Sequence, residues 1–203
     1  MPRRLVAVTG GIGAGKSALA RELTRAGCAV LDADESARRA VEPGTTAHAA
    51  LLALVPGCFD GTRLNRPALA AAVFDDAGLR TQVEAVIHPW VRADLAAGAQ
   101  RAEQDVVVVD IPLLAESRSR PAAASEFDYV VTVWADGPLR RERLRDRGLA
   151  DPDIEARMAA QATDEARQAV SDAVVPNIGT IDALRDRAEA LLACIRSLPR
   201  RRA

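Results

Sequence analysis

The stretch Gly10-Gly11-Ile12-Gly13-Ala14-Gly15-Lys16-Ser17 meets the spacing G-x-x-x-x-G-K-S/T of a phosphate-binding loop. Glycines there open backbone angles closed to other residues, so main-chain N–H groups can turn inward around a polyphosphate. The ammonium of Lys16 would reach the β- and γ-phosphates, and the hydroxyl of Ser17 would bind Mg²⁺. Among 27 lysines and arginines, Lys16 is the only lysine. The chain uses arginine wherever any cation serves and keeps a compact ammonium where a planar guanidinium is no substitute.

Other residues have suitable types and places for chemistry. Asp32 and Asp34 end a short apolar run and would face the phosphate site together if that strand continued through them, as a base or a magnesium contact. Asp34 before Glu35-Ser36-Ala37-Arg38 reads equally well as a helix N-cap. Asp110, after four valines, has the form of a Walker B acid that holds Mg²⁺ directly or through water. His88 is consistent with a packing or capping role as much as with a binding one. Arg140, Arg141, Arg143, Arg145 and Arg147 crowd one helix, mostly as a solvated face, with Arg143 and Arg147 one turn apart and able to clamp phosphate. Arg157 and Gln161 are spaced to share a face of the next helix, and Asn177 follows a strand where nucleotide bases are commonly held.

Local sequence supplies elements to carry these groups. Leu5 to Thr9 reads as a buried strand feeding the loop, and Ala18 to Leu23 as the helix it opens. Gly27 would end that helix, Cys28 to Leu31 would form the next strand, and strand-helix-strand begins a parallel sheet. Residues 42–104 read as helix without a convincing strand, in segments at about 45–55, 66–76 and 79–101, with a kink or break expected at Pro89. Further strands are expected at Val106–Asp110, Asp128–Trp134 and Val174–Asn177, and a final helix at about 181–198. Ser117 to Ser125 reads as a mobile surface segment and Arg200-Arg201-Arg202 as a frayed tail.

Composition bounds the function. The chain has 203 residues, 49% apolar and 27% charged, with a formal net charge of -1, so nothing general points to nucleic acid as a partner. Cys28, Cys58 and Cys194 are odd in number and in no C-x-x-C pair, which suggests neither a disulfide framework nor zinc and fits a reduced cytoplasm. The apolar run after Arg3-Arg4 is too short for a signal peptide, and no apolar stretch approaches a membrane span.

In order along the chain, TGGIGAGKS at 9–17, DAD at 32–34 with Ala37-Arg38 and Pro43-Gly44, Leu64-x-Arg66 with Leu69 and Val73-Phe74, and Ile87-His88-Pro89 are followed by Asp110-x-Pro112-Leu113-Leu114-x-Glu116, Arg143 to Gln161 and Asn177-x-Gly179. This order resembles the dephospho-coenzyme A kinase family over nearly the whole chain. The resemblance implies an α/β P-loop fold of nucleoside monophosphate kinase type: a five-stranded parallel sheet flanked by helices, with a helical substrate-binding insertion and a helical lid. It implies one domain, with core 1–42, 105–138 and 166–203, acceptor-binding region 43–104 and lid 139–165. The reaction implied moves the γ-phosphate of ATP to the ribose 3′-hydroxyl of dephospho-CoA, with Mg²⁺. By similarity, Lys16, Asp34 and Arg143 would be catalytic. Gly11, Ile12, Gly13, Ala14, Gly15, Lys16, Ser17, Ala18, Arg147 and Asn177 would bind the nucleotide. Thr9, Asp34, Arg38, His88, Pro112, Leu113, Leu114, Arg157 and Gln161 would lie on the acceptor side, and Ser17 and Asp110 would hold the metal. A cytoplasmic monomer or weak homo-oligomer, with no nucleic-acid or membrane partner, is expected. Ala115 departs from the pattern, which usually has an aromatic residue there. Rival readings are a kinase of another nucleotide and a nucleotide-dependent switch, although no N-K-x-D guanine signature is present.

Overall fold

The computed structural model describes residues 3–112, 114–115 and 126–199. The expected surface segment at Ser117–Ser125, the residues Leu113 and Glu116, and the arginine tail at 200–202 lie outside the described residues. The chain forms two compact units, one of Met1–Leu31 with Ala102–Ala203 and one of Asp32–Arg101.

The first unit is built on a five-stranded parallel sheet. Its strands are β1 (Arg4–Thr9), β2 (Ala29–Asp32), β5 (Val106–Asp110), β6 (Tyr129–Trp134) and β7 (Ala173–Pro176), in the order β2-β5-β1-β6-β7. The central β1 pairs in parallel with β5, Val8 opposite Asp110, and with β6, Val8 opposite Val131. Both faces of a central parallel strand are covered, which is why Val106 to Val109 are all buried and read as an unbroken apolar run. Alternation puts Val6, Val8, Val106, Val108, Val131 and Val133 into one core with helices α1 (Lys16–Arg25) and the C-terminal α9 (Ile181–Ser197). Leu19 and Leu23 of α1 and Leu184, Ala188, Leu192 and Ile195 of α9 recur at helical spacing on the faces turned to that core. Each fully buried leucine contributes about 1.5–3 kcal/mol. Gly27, at φ 95, lies just past the end of α1, as its position after the apolar pattern implied.

The second unit holds α2 (Ala33–Ala40), α3 (Thr46–Leu54), a hairpin of β3 (Phe59–Asp60) and β4 (Arg63–Leu64), α4 (Arg66–Asp75) and α5 (Ala77–Arg101). Val41, Leu51 and Val83 form its centre, with Phe59, Leu64, Leu69 and Ile87 packed against them. Three expectations are corrected here. The region expected to be strandless contains the β3–β4 hairpin, whose two-residue strands are too short to show alternation in sequence. Buried His48 fastens this hairpin to α3 through Nε2 and the Thr62 carbonyl, 2.7 Å apart. Of the kink or break expected at Pro89, the break is corrected: the helix is continuous through it over 25 residues. Pro89 is exposed, so the backbone bond it removes is lost where water can replace it. Third, the strand ending in the DAD stops at Asp32, and Asp32, not Asp34, caps α2 by accepting the Glu35 N–H at 3.0 Å.

Helix α2 is tied to α5 by Asp94. Its carboxylate accepts from Ser36 Oγ at 2.7 Å and from the Arg39 guanidinium at 2.5 Å. Burial alone would raise the Asp94 pKa, but the hydrogen bonds from Ser36 and Arg39, with the charges of Arg39 and Arg101, outweigh it and hold the carboxyl below its ordinary value. A depressed folded pKa gives stability that is full above the ordinary aspartate range and is lost as pH falls through the folded value. Asp94→Asn is therefore expected to cost about 1–2 kcal/mol at neutral pH. Chemical denaturation with circular dichroism should show that difference shrinking toward zero on acidification below the aspartate range.

Candidate active site

The phosphate loop runs between β1 and α1. Gly15 precedes the helix in a left-handed conformation, φ 97, and no side chain caps α1. The first-turn amides and the positive end of the helix are left for an anion. Lys16, half-buried, donates from Nζ to the Gly10 carbonyl at 3.1 Å, which folds its ammonium back over the loop.

Two further elements approach the loop from one side. Helix α6 (Gly137–Asp146), capped by Asp136, brings Arg143 to it. Arg143 donates to the carbonyls of Gly13 and Ala14 at 3.4 and 3.3 Å, and to that of Asn177 at 2.9 Å. Asn177 follows β7, is 6% exposed, and donates from Nδ2 to the Ala14 carbonyl at 2.8 Å. The side chain expected on the base side of the nucleotide thus fastens the loop itself. Arg147, at the C-terminal cap of α6, is exposed. Arg145 and Arg141 fit the solvated face, since they pair at the surface with Asp151 and Glu155 of α7 (Asp151–Ala159). Such exposed pairs contribute about 0–1 kcal/mol each.

Arg140 escaped the sequence reading, which left it among the solvated arginines. It is 6% exposed and donates from Nε to the Ile12 carbonyl at 2.8 Å. Burial draws its pKa below the ordinary arginine value; Asp164 opposes this, while Arg167 and Arg141 add to it. Its place three residues before Arg143, on the same helix face, was the available signal. Gln161 is also corrected: α7 ends at Ala159, so Gln161 does not share a helix face with the exposed Arg157. It lies beyond the helix end and its Oε1 accepts the Ile12 N–H at 2.8 Å.

On the other side of β1, Ile111 continues the sheet contact with Val8, and the buried Thr9 hydroxyl donates to the Pro112 carbonyl at 3.4 Å. Leu114 and Ala115 are buried. Ser17 lies in the first turn of α1 and Asp110 ends β5, paired with Val8 on the strand that feeds the loop. A hydroxyl and a carboxylate are hard oxygen donors that suit Mg²⁺. Among the described residues no group of three or more His, Cys, Asp or Glu could form an all-protein metal cage. The donor set fits an ion that shares its coordination with phosphate oxygens and water. Asp34, Arg38 and His88 are exposed side chains of the second unit, Asp34 in the first turn of α2, Arg38 in its last turn, and His88 in α5. No helix among the described residues is long and apolar enough to cross a membrane.

Comparison with known proteins agrees with this geometry. A family profile described as Dephospho-CoA kinase matches residues 4–183. A dephospho-CoA kinase of Xanthomonas axonopodis pv. citri is 41% identical over 199 residues, covering 95% of this chain and 96% of the relative. One of Mycolicibacterium paratuberculosis is 43% identical over 195 residues, covering 91% of this chain, which spans only 45% of that longer relative. A crystal structure from Thermus thermophilus superposes with a TM-score of 0.82 at 34% identity, covering 98% of this chain and 100% of the other. A phosphate loop on the central strand of a parallel sheet, matched over this length, leads to one conclusion: the chain belongs to the dephospho-CoA kinase family of P-loop kinases.

Proposed function

We propose that this chain transfers the γ-phosphate of ATP to the ribose 3′-hydroxyl of dephospho-CoA, giving CoA and ADP. The observation that carries the reading is a complete phosphate loop, with Lys16 and Arg143 on it, in a chain that matches the family over residues 4–183. The acceptor oxygen forms a bond to the γ-phosphorus as the β–γ bridging bond breaks, and ADP carries away the bridging oxygen. The transition state is loose, so positioning and charge neutralisation supply most of the catalysis.

Each group has a role in this reading. The amides of Gly11 to Ala18 cradle the phosphates, and Lys16 and Arg143 neutralise the charge that shifts toward the leaving oxygen. Ser17 and Asp110 would hold Mg²⁺, which would offset the negative charge of the phosphates. Asp34 positions the acceptor hydroxyl and takes its proton. Arg38 and His88 of the helical region 43–104 and its flanking helix, with Thr9, Pro112, Leu113 and Leu114, hold the acceptor. Within the segment 139–165, the exposed Arg147 and Arg157 act as the lid while Gln161 stays on the loop, and Asn177 sets the nucleotide side. A cytoplasmic enzyme, monomeric or weakly self-associating, belongs to the same reading.

The test is ADP release from Mg-ATP with dephospho-CoA, AMP or no acceptor, followed by mass identification of the product. ADP and CoA formed only with dephospho-CoA support the reading. Stimulation by AMP alone would replace the acceptor, and hydrolysis indifferent to both would favour a switch protein. Asp34→Asn is expected to lower kcat about 100-fold, at the low end for acid–base groups because proton transfer is late, with the ATP KM nearly unchanged. Steady-state kinetics with both substrates checks this, and a wild-type rate would remove Asp34 from the mechanism.

A further inference from the structure

The peptide units around Ile12 are gripped on both sides. The Ile12 carbonyl accepts from Arg140 Nε and its N–H donates to Gln161 Oε1, each at 2.8 Å. Arg140 and Gln161 are themselves held by one short segment. Asp164 opens helix α8 (Asp164–Gln168), which Thr163 caps by accepting the Ala166 N–H. Its Oδ1 accepts from Arg140 at 3.3 Å and from Arg167 at 3.2 Å. Arg167, 1% exposed, reaches on to Gln161 Oε1 at 3.4 Å. The other oxygen, Oδ2, accepts from the Trp134 indole N–H at 3.1 Å, which ties the carboxylate to the end of β6.

We infer that Asp164 is a positioning residue for the phosphate loop: it sets Arg140 directly, and Gln161 through Arg167, so that the backbone at Ile12 is already in place when ATP binds. The inference rests on the reading above that this loop takes the phosphates of ATP. Two guanidinium groups on one carboxylate oxygen, with the indole on the other, leave the carboxylate little freedom to turn. Arg140 and Gln161 then grip Ile12 at its carbonyl and its amide. A loop fixed beforehand does not lose conformational freedom on binding, so releasing it weakens ATP without directly affecting the acceptor.

The experiment measures ATP affinity calorimetrically with Mg²⁺ and no acceptor, and KM for both substrates, in Asp164→Asn, Asp164→Glu and Asp105→Asn. Asparagine keeps the shape but weakens both charge-assisted bonds; an increase of about tenfold in the ATP Kd and KM is expected, with the dephospho-CoA KM within about twofold. Glutamate, which keeps the charge, recovers part of the loss. Asp105→Asn removes an exposed pair with Arg196 and should leave the ATP Kd at the wild-type value. Folded Asp164→Asn with wild-type ATP affinity, or with both KM values raised together, overturns the inference. Should that variant not fold, Gln161→Ala carries the test: a weakened ATP Kd supports the inference and an unchanged one overturns it. Because the Kd needs no acceptor, a protein that binds ATP but does not phosphorylate dephospho-CoA would overturn the proposed function alone. A wild-type protein that binds no ATP overturns both.

Discussion

Lys16→Ala is expected to lower kcat about 1,000-fold, the size of effect seen when a cation that meets transition-state charge is removed. Lys16→Arg should not rescue it, with kcat still down about 100-fold. The ammonium is compact, and its Nζ lies 3.1 Å from the Gly10 carbonyl. A planar, forked guanidinium there would occupy more of the space that the amides leave for phosphate. Composition makes the prediction sharp, because a chain with 27 basic residues keeps lysine at this position alone. It also supplies a second readout. Among side chains, an amine-directed ATP analogue can modify only Lys16, so peptide mass mapping should find one labelled side chain in the wild type and none in either variant. Arginine at near-wild-type kcat would contradict the assignment.

Gly15→Ala is expected to weaken ATP binding about 100-fold and to lower thermal stability. Two costs combine. Gly15 has φ 97, where an L side chain costs about 1–2 kcal/mol. A Cβ there would also overlap Asn177 Nδ2, the atom that donates to the Ala14 carbonyl. Moving Asn177 loses that bond, about 1 kcal/mol, and disturbs the carbonyl on which Arg143 also rests. Together these approach the 2–3 kcal/mol that a hundredfold change in Kd requires. Asn177→Ala separates the terms: in that background Gly15→Ala should retain the conformational penalty and lose the steric one. Additive effects in the double variant would show that the two side chains do not share a contact.

The phosphate loop was legible because its chemistry is contiguous. Eight consecutive residues carry the turn, the amides, the ammonium and the hydroxyl, and the strand and helix around them announce themselves by apolar spacing. The valine run of β5 was legible for the same reason, and Asp110 with it. The DAD was only half legible. Alternation put both aspartates on one side, but a cap bond from Asp32 to the Glu35 amide ended the strand early and turned Asp34 onto a helix. Local hydrogen bonding decided what periodicity could not. Pro89 shows the converse: a strong local breaker is accommodated within the 25-residue helix α5, whose Val83 and Ile87 are packed in the core of the second unit.

By itself, then, the sequence determined the phosphate loop and the parallel sheet, since each is written in short windows where spacing and residue type suffice. Only the tertiary structure decided which arginines are solvated and which hold the loop. Helical spacing set Arg140 beside Arg143, but only packing buried Arg140 on Ile12 and left Arg145 at the surface on Asp151. The difference comes from Ile12, which lies more than a hundred positions from Arg140, Gln161, Asp164 and Arg167 and meets them only when β1, α6 and α8 have packed. A hydrogen bond between residues more than a hundred positions apart leaves no period or motif in the sequence; it is set by the packing that brings its two ends together.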